Sequence, residues 1–394
     1  MNVLFFTLNY KSGMYLQLAD EFILNGHKVT FVSPTNIGKN RIEKYKQHNV
    51  LLFRSNKLIN VSLIRKGIAN LLMPYQCKRA VSKFISHYDI DLILMSTPTL
   101  GFYESIKYLK KRNRDIRFYL ILRDIHPEGA KFVGLDKYKI LYNYFRSMEK
   151  SLYNCADRIG CMSPHSVKFI SNMNPEISKS KVELLPNWGT INNQNALIET
   201  NILEKYGLID KFLVIYGGNM GIAQNLGIFI RLAKEKSKYK DVVFIFVGDG
   251  TEKKQLKKQA DEIGANNVIF INSLPKKEYD ELVKVSHLGI ISLHPKSFFA
   301  NIPSKTIGYM SARVPILASI DSISDYGNFV IDPSKAGLWS LANEFEKLSE
   351  NFDIMYHNPI LRNEMGENGY QYFINNWTTD KTYAQIIKSI QNEN

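Results

Sequence analysis

Residues 212–250, FLVIYGGNMGIAQNLGIFIRLAKEKSKYKDVVFIFVGDG, hold the pattern on which the fold turns. Phe212–Tyr216 is an apolar run of strand length, and GGNMGIAQN (Gly217–Asn225) is a glycine-rich turn. Leu226–Lys234 is a helical stripe, and Val242–Val247 is a second strand that closes on VGDG (Val247–Gly250). The alternation continues through helix Glu252–Ile263, strand Val268–Ile271, helix Lys277–Val285 and strand Leu288–Ser292. Apolar strands alternating with helices imply a parallel sheet covered on both faces. Ligands of such sheets bind beyond the carboxyl ends of the strands, where both glycine loops fall. Neither loop is a GxGxxG or a Walker sequence. Gly217, Gly218 and Gly221 would let a backbone approach a phosphate or sugar, or would simply satisfy the dihedrals of a tight turn.

The next stretch, FFANIPSKTIGYMSARVPILA (Phe298–Ala318), reads as a loop, a short helix and a strand. Pro303 and Ser304 suit the first turn, Thr306–Ser311 continue it, and Val314–Ala318 form the strand. Lys305 in the first turn and free backbone N–H groups would converge on an anion. The alternative is an ordinary helix cap with a solvated lysine.

Upstream, Val3–Leu8, the helical stripe Tyr15–Asn25 ended by Gly26, and Val29–Val32 make a β-α-β opening. Further strands are expected at Leu92–Met95, Phe118–Leu122 and Ile159–Met162, with a helix over Ile140–Tyr153. The polar GTINNQN after Trp188 reads as a linker. The expected domains are therefore 1–187 and 198–376, with a last helix from Thr379.

The 394 residues suffice for two domains with their own cores. Of the net charge of +14, residues 1–185 hold 29 Lys+Arg against 14 Asp+Glu, and the remainder is nearly neutral. An anionic partner is implied for the first half: a membrane surface, a phosphorylated substrate or a nucleic acid. No recognisable nucleic-acid motif accompanies it, so no nucleic-acid partner is expected. Cys77, Cys155 and Cys161 have neither disulfide-framework numbers nor metal-ligand spacing. The N-terminal run lacks a basic leader region and no stretch reaches bilayer length, which places the protein in the cytoplasm.

Taken together, GGNMGIAQN, VGDG, IPSKTIGYM with RVPILA, and MGENGYQYFINNW resemble the donor-binding domain of retaining GT-B glycosyltransferases of family 4. In the first half NGHKVTFVS, the STP after Met95, RDIHPE and LLPNW agree. Order and spacing look most like the bacterial surface-polysaccharide branch that includes N-acetyl-L-fucosamine transferases. The resemblance implies two Rossmann-like, doubly wound α/β domains facing across a cleft, with helix 379–394 crossing back to the first.

It also implies transfer of a hexosyl or N-acetylhexosaminyl group, with retention, from a nucleotide-sugar, UDP-linked in expectation, to a lipid-diphosphate-linked saccharide. O-antigen or capsule synthesis at the inner face of the membrane would be the setting. No cofactor is expected, the nucleotide-sugar being a substrate. Gly218, Asn219, Gly221 and Gln224 fall on the loop that wraps the donor diphosphate, and Ser304 and Lys305 on its second phosphate clamp. Asp249 and Gly250 fall where the base is bounded.

Two departures stand out. The family commonly carries two glutamates eight positions apart, the first on the donor sugar and the second on the ribose; here those positions are Ala300 and Gly308. The Arg and Lys of the first phosphate loop are also missing, which shifts diphosphate charge onto Lys305 and backbone N–H groups. The mechanism implied, in which the departing phosphate oxygen helps to deprotonate the acceptor, needs few protein acids or bases. Lys305 is the expected catalytic group.

On the acceptor side Asp124 and His126 of RDIHPE follow a strand and would serve catalysis and acceptor binding, or merely satisfy a turn. Gly13 is a further acceptor contact. Asp89 and Asp91 form a D-x-D that precedes a strand, so no metal is expected. Arg65, Lys66, Lys78, Arg79 and Lys83 interleave with Leu63, Ile64, Ile68, Leu71, Leu72, Met73, Tyr75 and Phe84. That element lies on an anionic membrane or packs on its own domain with a solvated basic face. The non-enzyme alternative is a degenerate homologue that binds a glycan or partner, motivated by Ala300 and Gly308.

Overall fold

The computed structural model describes residues 1–11, 13–57, 63–97, 100–191, 201–297 and 300–391, with only the backbone at 63, 64, 66, 132, 133 and 201. The chain forms two compact units, Met1–Pro186 together with Thr379–Asn394, and Asn187–Thr378.

Unit 1 is built on β1 (Asn2–Phe6), β2 (Lys28–Thr35), β3 (Arg41–Tyr45), β4 (His48–Arg54), β5 (Leu92–Ser96), β6 (Arg117–Leu122), β7 (Arg158–Cys161) and β8 (Val182–Leu184). The sheet order is β3-β4-β2-β1-β5-β6-β7-β8, parallel throughout except for the antiparallel β3–β4 pair at the edge. Its helices are α1 (Gly13–Leu24), α2 (Leu63–Phe84), α3 (Tyr103–Arg112), α4 (Lys139–Cys155) and α5 (Pro164–Met173). Val3–Phe6 and Leu92–Met95 are fully buried, as strands covered on both faces must be. The first strand ends at Phe6 rather than Leu8, which is exposed beyond it.

Unit 2 carries α6 (Asn201–Lys205), β9 (Phe212–Gly217), α7 (Gly227–Glu235), β10 (Val242–Val247), α8 (Lys253–Ile263), β11 (Val268–Ile271), α9 (Lys276–Lys284) and β12 (Leu288–Ser292). It continues with α10 (Lys305–Ser311), β13 (Ile316–Ile320), α11 (Asp332–Ser334), β14 (Gly337–Leu341), α12 (Phe345–His357) and α13 (Pro359–Asn376). The sheet order is β11-β10-β9-β12-β13-β14, all parallel. The expected strand at Val314–Ala318 is displaced to Ile316–Ile320, because Val314 N still bonds Tyr309 O in the turn that leaves α10. Of the polar stretch 189–195, residues 192–195 lie outside the described residues, while Gly189 bridges Thr378. The last helix, α14 (Thr379–Gln391), packs on α1, with Tyr383 edge-on to Phe22 at 4.9 Å and its hydroxyl 2.8 Å from His27 Nε2.

Strand order reverses between β9 and β12 in unit 2 and between β1 and β5 in unit 1. Such switch points open a crevice at the strand carboxyl ends. In unit 2 β9 and β12 pair only through Leu288–Val214 and Gly289–Ile215 and then part. Where they part, the Tyr309 hydroxyl of α10 reaches Ile215 O at 3.1 Å and Ile290 O at 3.3 Å, so α10 is pinned over the gap.

Candidate functional site

In unit 2 the two glycine loops form one body. Gly218 N donates to Val247 O at 2.9 Å, Met220 N to Asp249 O at 2.8 Å and Glu252 N to Met220 O at 2.9 Å. A Cβ on Gly248 would stand 2.1 Å from Gly218 O, and one on Gly250 would stand 2.2 Å from Met220 O. Both glycines also sit at positive φ, +133° and +158°. Their absent side chains are thus what lets the loop after β10 touch the backbone of the loop after β9.

The loop of residues 217–225 is further stiffened from within. Gln224 Oε1 accepts from Gly221 N at 3.1 Å and from Asn219 Nδ2 at 3.2 Å. Asn219 and Gln224 are therefore joined to each other, and are not both free to take up diphosphate charge. The backbone N–H groups of Gly218, Met220, Gly221 and Gln224 are likewise already bonded. Among the described residues those of Asn219, Ile222 and Ala223 keep no protein acceptor.

Lys305 comes to this loop from α10. Its Nζ lies 4.6 Å from the centroid of the Tyr216 ring, and its Cε is 3.8 Å from where a Gly218 Cβ would stand. The side chain is half-buried, and among the described residues no carboxylate pairs with it. Protein atoms in place of water disfavour the charged form and bring its pKa down to about 8. Tyr216 donates its hydroxyl to Asn219 O at 2.6 Å, so one ring both faces the cation and fixes the loop.

α10 is shorter than a strong dipole requires: it begins at Lys305, Ser304 is an exposed N-cap residue, and that side chain makes no capping bond. The ammonium is thus the main positive group here. Ala300 is fully buried, whereas a Cβ on Gly308 would meet open space. Phe298 and Phe299, which open the quoted segment, lie outside the described residues.

Asp249 is exposed, and its carboxylate is held by Lys253 Nζ at 3.1 Å and Ser273 Oγ at 3.2 Å, both of which keep its pKa low. Lys253 was not legible as part of a site. Its buried Nζ also bonds Gly248 O at 2.7 Å and Asn272 Oδ1 at 2.7 Å, tying the ends of β10 and β11 together.

In unit 1 the candidate residues gather beyond β1, β5 and β6. Thr97 Oγ1 accepts from Arg123 N at 2.9 Å and Asp124 N at 3.0 Å, which shapes the turn after β6. The buried Arg123 guanidinium donates to Leu185 O at 2.6 Å and Pro186 O at 3.1 Å. Water reaches Asp124, but the protein atoms around its carboxyl raise its pKa, and the adjacent Arg123 only partly offsets this. His126 stands edge-on to Phe145 of α4 at 5.1 Å, so its ring is partly spent on packing. Gly13 opens α1 at φ +75° with free space around it. Asp91 is at the opposite, amino end of β5, where it accepts from Asn2 N at 2.7 Å. Among the described residues no group of His, Cys, Asp and Glu could hold a metal ion.

Two parallel-sheet α/β units of this kind constitute the GT-B fold of glycosyltransferases. Trehalose-6-phosphate synthase OtsA superposes with a TM-score of 0.75 at 11% identity, over 100% of this chain and 99% of that one. WaaG, described as a glycosyltransferase involved in lipopolysaccharide biosynthesis, gives 0.69 at 14% identity, over 99% and 98%.

Residues 199–372, which make up most of unit 2, match the family Glycosyl transferases group 1. The chain is 26% identical over 308 residues to a Pseudomonas aeruginosa protein named as the glycosyltransferase WbjE, covering 72% of this chain and 69% of that one. It is 28% identical over 210 residues to Escherichia coli K12 WcaI, whose name places it in colanic acid biosynthesis, covering 50% and 49%. Among the described residues no helix is long and apolar enough to cross a membrane.

Proposed function

We propose that the protein moves a sugar from a nucleotide-sugar held by unit 2 to a lipid-linked saccharide held by unit 1, in the synthesis of a bacterial surface polysaccharide such as O-antigen or capsule. The observation that carries this reading is Lys305: a cation without a carboxylate partner, set over Tyr216 beside Gly218 at the switch point of the sheet. An anion is the ligand such a group awaits, and the neighbouring N–H groups of Asn219, Ile222 and Ala223 suit phosphate oxygens. The name of WbjE supports the glycosyltransferase activity, and the name of WcaI and the description of WaaG support the polysaccharide setting. A related fold described as bound with UDP-2-fluoro glucose supports a UDP-linked donor.

In this reading the enzyme is a retaining family 4 transferase of hexosyl or N-acetylhexosaminyl groups, and needs no metal. Lys305 and the loop stabilise the departing diphosphate, and a phosphate oxygen takes the acceptor proton on the same face of the sugar. Asp124 orients the acceptor hydroxyl, with His126 and Gly13 at the rim. Work at the inner membrane face follows from the lipid-linked acceptor.

The test is thermal stabilisation of the protein by UDP, GDP, dTDP, ADP and CMP and their sugars, with magnesium or chelator. Ligand at one hundred times its dissociation constant adds about 2.7 kcal/mol, a readable shift. A metal-independent shift with one nucleotide, abolished in Lys305→Ala, supports the proposal. No shift with any of them favours the other reading, a degenerate glycan- or partner-binding homologue, for which buried Ala300 and bare Gly308 are the motive.

A further inference from the structure

α2 is apolar on two faces. Ala69, Met73, Cys77, Ala80 and Val81 are buried on unit 1, which accounts for one stripe. The other stripe, Ile68, Leu71, Leu72 and Tyr75, has the i, i+3, i+4, i+7 spacing of a single helix face and stands 37–63% exposed. It is continued by α4, where Tyr144 lies beside Tyr75 and Ile140, one turn earlier, is 91% exposed. A contiguous apolar surface of this kind on a water-soluble fold marks an interaction site.

Cations surround it. Arg65, Arg79 and Lys83 are exposed on α2 itself. Between α2 and α3 runs a groove of about 530 Å³ lined by Lys78, Glu104, Lys107, Tyr108, Lys111 and Arg112. Glu104 is taken by Lys78 at 3.3 Å. Among the described residues Lys107, Lys111 and Arg112 form no ion pair, so the groove is left strongly positive.

We infer that this face docks on an anionic lipid bilayer, with the α2–α4 ridge entering the boundary between headgroups and acyl chains and the α2–α3 groove taking lipid phosphates. Charge alone would suit any polyanion. An apolar ridge beside the charge singles out a surface that offers both phosphate and hydrocarbon. The choice of lipid rests on the proposed lipid-linked acceptor, and it assigns α2 the first of the two roles that its sequence left open, the membrane-facing one.

The experiment is flotation of the full chain with vesicles of phosphatidylglycerol and phosphatidylcholine in equal parts, against phosphatidylcholine alone. Two surface variants accompany it, L71E/L72E and K107E/K111E/R112E. Their unfolding temperatures and nucleotide-induced shifts are read in parallel. The expected result is binding to the anionic vesicles only, weakened about tenfold or more in each variant, with salt dependence reduced in the groove variant. Folded wild type that ignores anionic vesicles overturns the inference, and so does L71E/L72E that binds them undiminished. The same holds if soluble polyglutamate competes as well as vesicles do, which would make the partner an acidic macromolecule. Loss of vesicle binding with an intact nucleotide shift would leave the transferase reading standing. Vesicle binding without any nucleotide shift would do the reverse.

Discussion

The ammonium of Lys305 lies 4.6 Å from the centre of the Tyr216 ring, and the hydroxyl of that same ring bonds Asn219 O at 2.6 Å. One aromatic side chain on β9 therefore sets the distance between the cation and the glycine loop. Tyr216→Phe keeps the ring under the cation and removes the loop bond, worth about 1 kcal/mol. Tyr216→Leu removes both. Calorimetric nucleotide affinities are expected to rank wild type above Phe and Phe above Leu, with Lys305→Ala weakest and slowed about 10²–10³-fold in turnover. Equal affinities in Phe and Leu would show that the ring does nothing for Lys305.

Nucleotide affinity should fall with alkali. Lys305 titrates at about 8 in the free protein, so its positive charge is lost as pH rises through that value. An arriving diphosphate favours the ammonium and raises its pKa, so binding above pH 8 takes up a proton. Titration calorimetry in buffers of different ionisation enthalpy would detect that uptake. Fold stability has the opposite sign. Between about 8 and the ordinary lysine value of 10.5 the unfolded chain binds the extra proton, so this group makes the free protein more stable as pH rises across that window.

Two glycines of unit 2 should respond oppositely to alanine. In Gly248→Ala the new Cβ meets Gly218 O at 2.1 Å, and the positive φ adds strain. A loss of about 2–4 kcal/mol and weakened nucleotide binding are expected. In Gly308→Ala the Cβ projects into open space from a helix, with a gain of about 0.5–1 kcal/mol. Thermal denaturation of the two variants reads both signs.

Asp124→Asn keeps the shape of the side chain and removes its charge. Because Asp124 lies in unit 1, turnover on acceptor is expected to drop while nucleotide affinity stays unchanged. A matching loss of nucleotide affinity would move Asp124 out of the acceptor role.

The parallel strands were legible because burial on both faces leaves an unbroken apolar run, as in FLVIY and VVFIFV. β3 was not: RIEKY sits on an antiparallel edge with alternate residues facing water, so its composition is that of a loop. α2 was ambiguous because two apolar stripes blur a helical period. The site was legible only where local sequence encodes it. Gly248 and Gly250 announce a turn, but their contact is with a loop some thirty residues earlier. Lys253 sits in KKQLKK like any surface lysine, and only the fold buries its head among four acceptors. The pairing of Tyr216 with Lys305 spans nearly half of unit 2 in sequence, and nothing near either residue signals it.

Unit 2 runs without interruption from Asn187 to Thr378 and is stitched shut where Gly189 bridges Thr378, whereas unit 1 is assembled from two separated segments. Unit 2, the half proposed to hold the donor, is thus a single cassette with its entry and exit side by side. Recombination could exchange that cassette whole, which under the proposed function would give the same acceptor machinery a different sugar, whereas replacing unit 1 would require two simultaneous splices.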